Sequence, residues 1–124
     1  MPGCGLRRRG SDTARTVSND LKQLGLAYHG FNDKYRRGPA NAEELKEFVE
    51  PGDPVYQKLA AGTYIFQYGM ALRDMFELGT SETILAYEKD VPTKGGMVLM
   101  GDSSVQQMSA EEFKNWPRPK AAKN

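Results

Sequence analysis

The chain has 124 residues, a formal net charge of +1, 39% hydrophobic residues and 27% charged residues, which suits one domain with a single modest core. With one cysteine, Cys4, and one histidine, His29, it excludes an internal disulfide, a cysteine-based metal centre and a multi-histidine metal site. Charge is uneven: residues 1–16 and 117–124 each carry +3, leaving −5 for residues 17–116.

Met1 to Asp12 is rich in glycine and arginine without apolar periodicity, and reads as a flexible linker or tether. The run Arg7-Arg8-Arg9 has the charge that touches nucleic acid or anionic lipid. No aromatic platform accompanies it, so it reads as a solvated end, and no nucleic-acid partner is expected. Pro2-Gly3-Cys4-Gly5 places a small residue before a cysteine ahead of a polar stretch, the arrangement found at the end of a lipoprotein signal. Cys4 is therefore a candidate lipidation site, and a membrane contact is expected only through a tether at or before it. No run of about 18 apolar residues that would span a bilayer is present.

Thr13 to Arg37 reads as one long amphipathic helix. Ala14, Val17, Leu21, Leu24, Tyr28, Phe31 and Tyr35 recur at steps of three and four residues, which places them on one stripe. The residues between them, Asp20 and Asn32 included, are expected to face water, with Ser11 or Asp12 as the N-cap. Gly25 and Gly30 each cost about 1 kcal/mol relative to alanine, which implies close approach of another segment. Gly38-Pro39 ends the helix. Asn41 with Glu44 reads as a capping box opening a short helix with Leu45, Phe48 and Val49 on its apolar face. Asp53-Pro54 opens another short helix as N-cap and first-turn proline, stopped by Gly62.

Beyond Thr63 the pattern changes to strands. Thr63–Tyr68 is β-branched and aromatic, and 70–80 is ambiguous between a helical turn and a loop. Thr83–Glu88, Met97–Met100 and Val105–Met108 read as further strands, with a turn at Asp102-Ser103. Ser109 with Glu112 forms a second capping box ahead of a final helix through Phe113 and Trp116. Residues 13–116 thus make one α+β domain: a long N-terminal helix on a small antiparallel sheet of three to four strands, with short extra helices. Residues 117–124 read as a disordered basic tail.

Asn19-Asp20-Leu21-Lys22-Gln23-Leu24-Gly25-Leu26-Ala27-Tyr28-His29, continued by Phe31-Asn32-Asp33, resembles the helix signature of planctomycete-type pilin-like proteins, the DUF1559 group. Leu85–Lys89, Gly95-Gly96, Val98 and Gly101-Asp102 are similar to that family's carboxyl-terminal part. The resemblance implies the type IV pilin or type II secretion pseudopilin fold. It also implies a bacterial structural protein of the cell envelope or periplasm, with protein partners or self-association. The prepilin motif and apolar helix that usually open such proteins are missing from this sequence. The alternative is accordingly a lipid-anchored soluble binding module that does not polymerise. Some pseudopilins hold calcium beside the sheet, which makes Glu88, Asp90 and Asp102 the residues to consider. Turn and loop carboxylates are the preferred reading, since a calcium site needs six or more oxygens.

Catalysis is not expected. Glu43/Glu44 and Glu111/Glu112 fall in first turns of helices, where carboxylates are favoured by capping and the dipole, and no residue in the sequence is placed to orient His29 as a base. No cofactor and no small-molecule substrate are expected. Tyr64, Phe66 and Tyr68 alternate along one strand, and core packing is the preferred reading over a ligand-facing aromatic row.

Overall fold

The computed structural model describes residues 2–50 and 52–118, with side chains from residue 15 onward in the first helix. That helix, α1, spans Pro2–Tyr35. It therefore starts well ahead of Thr13, and the stretch expected to be a linker, including the caps assigned to Ser11 and Asp12, continues the helix. Arginine is a good helix former, and extending a helix nucleated elsewhere adds one backbone hydrogen bond per residue. Apolar periodicity does not report that extension. At 34 residues, α1 is about 50 Å long.

Burial on α1 follows the expected stripe: Leu21, Leu24 and Tyr28 are fully buried and Phe31 is 2% exposed. Tyr35 departs from it at 41% exposed; its ring lies against Phe31 and its hydroxyl donates to Glu47. Ala14 lies outside the described side chains. Two polar residues expected in water, Asp20 and Asn32, are buried. Asp20 accepts from Tyr64 Oη at 2.6 Å and from Lys58 Nζ at 3.1 Å, and those bonds satisfy a carboxylate removed from water. Helix α1 ends at Arg36, which takes a left-handed φ of 60° and donates its N–H to the Asn32 carbonyl at 2.8 Å.

A 3₁₀ segment, Ala42–Glu47, follows. Asn41 Oδ1 accepts the Glu44 N–H at 3.1 Å, but the Glu44 carboxylate accepts from the Ala40 N–H at 2.7 Å and pairs with Arg37. The expected capping box is thus only half formed. Leu45 and Val49 are buried as expected, whereas Phe48 is 36% exposed and lies over Gly30 of α1. Helix α2, Pro54–Ala61, has the expected caps: Asp53 accepts from the Val55 N–H, and Gly62 at φ 86° supplies the left-handed terminus that a side chain would disfavour.

Four antiparallel strands form one sheet in sequence order: β1 Tyr64–Phe66, β2 Ile84–Glu88, β3 Gly96–Met100 and β4 Val105–Met108. Between β1 and β2 the ambiguous stretch resolves into 3₁₀ turns at Leu72–Met75 and Thr80–Glu82. Between β2 and β3, one helical turn, α3 Val91–Lys94, replaces the expected loop. The last helix, α4 Ala110–Asn115, carries the reciprocal Ser109–Glu112 capping box. The sheet is buried on both faces. Leu85, Leu99, Tyr64 and Phe66 meet the α1 stripe, while Ile84, Val98, Met100 and Met108 pack with Val91 of α3 and Phe113 of α4. Arg118, within the expected tail, lies 4.5 Å from the Phe113 ring centroid; residues 119–124 are outside the described residues.

Candidate functional site

The residues considered for calcium do not meet. Glu88, at the end of β2, accepts the Met97 N–H through Oε2 at 2.8 Å. Asp90 is exposed in the turn that follows. Asp102 lies in the β3–β4 turn, where it accepts from the Ser104 N–H at 3.0 Å and the Ser104 hydroxyl at 2.5 Å. Since β3 runs from beside Glu88 toward Asp102, a rise of about 3.3 Å per residue places these two carboxylates about 15 Å apart. Their separation is a consequence of strand register. Among the described residues no group of three or more His, Cys, Asp or Glu is placed to hold a metal ion. Cys4 falls within α1, and its side chain lies outside those described.

His29 lies at the edge of the core, and its Nε2 donates to the Gly101 carbonyl at 2.6 Å. The Ser104 hydroxyl, chiefly, holds the Asp102 carboxyl below its ordinary range, with the nearby His29 adding to the effect. The same β3–β4 turn presses on Gly25: a Cβ there would stand 2.7 Å from Ser103 Oγ and 3.0 Å from Ser103 Cβ. Close approach at this glycine is what its place inside the helix pattern implied. The aromatic row is core, with Tyr64 and Phe66 buried and Tyr68 half-buried. Burial, followed by the hydrogen bond to Asp20, pushes the Tyr64 hydroxyl well above the ordinary tyrosine range. Tyr28, also raised by burial, donates to the Met70 carbonyl at 2.5 Å. These hydroxyls join α1 to the sheet and to the segment before Leu72.

A feature not anticipated from the sequence is a groove of about 350 Å³ between α1 and residues 48–53, lined by Leu26, Ala27, Phe48 and Val49 together with the polar Gln23, Glu50 and Asp53. Ala27 and Val49 form its floor, and Leu26 and Phe48 its walls. Leu26 is 69% exposed, on the side of α1 facing away from the buried stripe. Gly30 allows Phe48 to lie against the helix, within 2.9 Å of a would-be Cβ. Glu50 and Asp53 stand at the rim. Neighbouring acids are neutralised: Glu47 by Lys34, and Glu44 by Arg37, whose hydrogen bonds together with that of the Ala40 N–H lower the Glu44 carboxyl to about 2. The sequence signal that could have marked this groove was Leu26, a large apolar residue off the periodic stripe.

The chain matches no family model, no curated protein and no solved structure. The class that the described residues define is therefore architectural: an α+β domain built as a long N-terminal helix on a four-stranded antiparallel sheet.

Proposed function

We propose that this chain is a non-enzymatic pilin- or pseudopilin-like domain, used outside the cytoplasm for assembly or protein contacts at the cell envelope. The observation that carries the reading is α1 itself. It is 34 residues long and lies on the antiparallel sheet through Leu21, Leu24, Tyr28 and Phe31, the helix-on-sheet plan that the family resemblance implies. The stretch Asn19–His29 that carries the family resemblance is also where α1 meets its domain. Within it Asp20, Leu21, Leu24, Gly25, Tyr28 and His29 contact α2, the sheet and the β3–β4 turn. Local structure also supports a non-catalytic role: His29 Nε2 is engaged by a backbone carbonyl, and Glu44 and Glu112 are engaged at helix starts.

The test is localisation of the product of the natural gene, tagged at its carboxyl terminus, in the source cells. The tag is expected in the envelope fraction and is expected to be removed by protease added to spheroplasts. A protease-resistant tag in the cytosol would overturn the reading. Incorporation of a palmitate analogue that is lost in Cys4→Ser would replace it with the lipid-anchored, non-polymerising module.

A further inference from the structure

We infer that the Leu26–Phe48 groove receives the arginine-bearing end of α1 from a second copy of this chain. The inference rests on the assembly reading above and names the surfaces that meet. The groove offers open apolar walls, with Leu26 69% and Phe48 36% exposed, a surface of the kind that marks interaction sites when a polar rim surrounds it. Its surroundings are acidic. Residues 42–53 carry Glu43, Glu44, Glu47, Glu50 and Asp53 against Lys46 alone, and so hold most of the negative charge of the body. Arg37 and Lys34 neutralise Glu44 and Glu47. Glu50 and Asp53, at the rim, make no ion pair among the described residues.

An occupant must bring an apolar side chain for the walls and cations for the rim. Leu6-Arg7-Arg8-Arg9 has that composition. The basic carboxyl end, Lys120-Ala121-Ala122-Lys123, has the charge but no large apolar residue. The arginines of the same copy cannot serve, because α1 is continuous from Pro2 to Tyr35. At about 1.5 Å per residue, Arg9 and Leu26 are about 25 Å apart along one helix. The contact is therefore between copies and unlike on its two sides, groove on one and helix end on the next. Such a contact propagates into an open chain unless its rotation closes a ring.

Sedimentation velocity of the full chain over a concentration series tests this. In about 50 mM salt, mass is expected to rise with concentration, and about 500 mM salt is expected to suppress the rise by screening the rim charges. Leu26→Glu, and separately the triple change Arg7→Glu, Arg8→Glu, Arg9→Glu, are each expected to weaken association about tenfold or more. Adding Glu50→Arg to the triple variant is expected to recover part of the loss. Circular dichroism of Leu26→Glu is expected to match the parent, since the side chain is exposed. A wild-type chain monomeric to about 1 mM, or association indifferent to Leu26→Glu, would overturn the inference. So would a monomer held by anionic vesicles through the same arginines, which would make that end a membrane contact. A monomer found in the envelope refutes this contact alone, and a self-associating chain found in the cytosol refutes the assembly reading alone.

Discussion

Gly25→Ala sets two effects of opposite sign against each other. Alanine is favoured over glycine inside a helix by about 1 kcal/mol, while an extra methyl in a packed site costs about 1–3 kcal/mol. The methyl would lie 2.7 Å from Ser103 Oγ, 3.0 Å from Ser103 Cβ and 3.2 Å from Leu99 Cδ1. The Ser103 hydroxyl can rotate away, but its Cβ cannot. Ser103 is held at a left-handed φ of 74°, with its N–H donating to the Met100 carbonyl at 3.0 Å. The packing term therefore wins, and urea denaturation is expected to show a net loss of about 1 kcal/mol. In a Ser103→Gly background the two nearest atoms are gone, leaving the flexible end of Leu99. There the same substitution is expected to stabilise by up to about 1 kcal/mol. The double-mutant cycle thus reads a coupling of about 2 kcal/mol between a helix residue and a turn residue. A Gly25→Ala variant more stable than the parent, with no coupling to position 103, would mean that the turn is not seated on α1.

Leu24 is fully buried between helix and sheet, so Leu24→Ala is expected to cost about 2–5 kcal/mol by the same denaturation measurement; a loss under about 0.5 kcal/mol would place the stripe in solvent. Ser109→Ala removes the acceptor for the Glu112 N–H and is expected to lower stability by about 1 kcal/mol, with Asn41→Ala costing a similar amount. Glu44, with its carboxyl lowered from the usual 4.5 to about 2, favours the folded state above about pH 4.5, and that contribution is lost as pH falls toward 2. The melting-temperature difference between the parent and Glu44→Gln is therefore expected to shrink over that window, and a constant difference would count against the Arg37 pairing.

Repeating local signals made part of this fold legible in the sequence. The three-and-four spacing of Leu21, Leu24, Tyr28 and Phe31 located the buried face of α1, and Asp53-Pro54 and Ser109…Glu112 located two helix starts because each cap acts within its own turn. Pairings distant in sequence were not legible. Asp20 looks like a solvated carboxylate until chain folding brings in Lys58 and Tyr64, 38 and 44 residues away. Glu88 and Asp102 look like neighbours of a loop until strand register places them at opposite ends of β3. Phe48 has helical spacing with Leu45, yet the 3₁₀ segment stops at Glu47 and Phe48 is its C-cap, where its ring lies against Gly30 and makes a wall of the groove. The early start of α1 escaped because glycines and arginines carry no apolar period. Leu26 was visible as an apolar residue off the stripe, but only the neighbouring Phe48 and Val49 give it a surface to share.

The most direct measurement places a photo-crosslinking amino acid at position 26 in the natural gene, illuminates intact source cells and fractionates them before analysis. Adducts whose mass corresponds to two copies of the chain are expected in the envelope fraction. Adducts formed only with cytoplasmic proteins, or a residue 26 that crosslinks to nothing while the protein is present, would contradict the assembly reading.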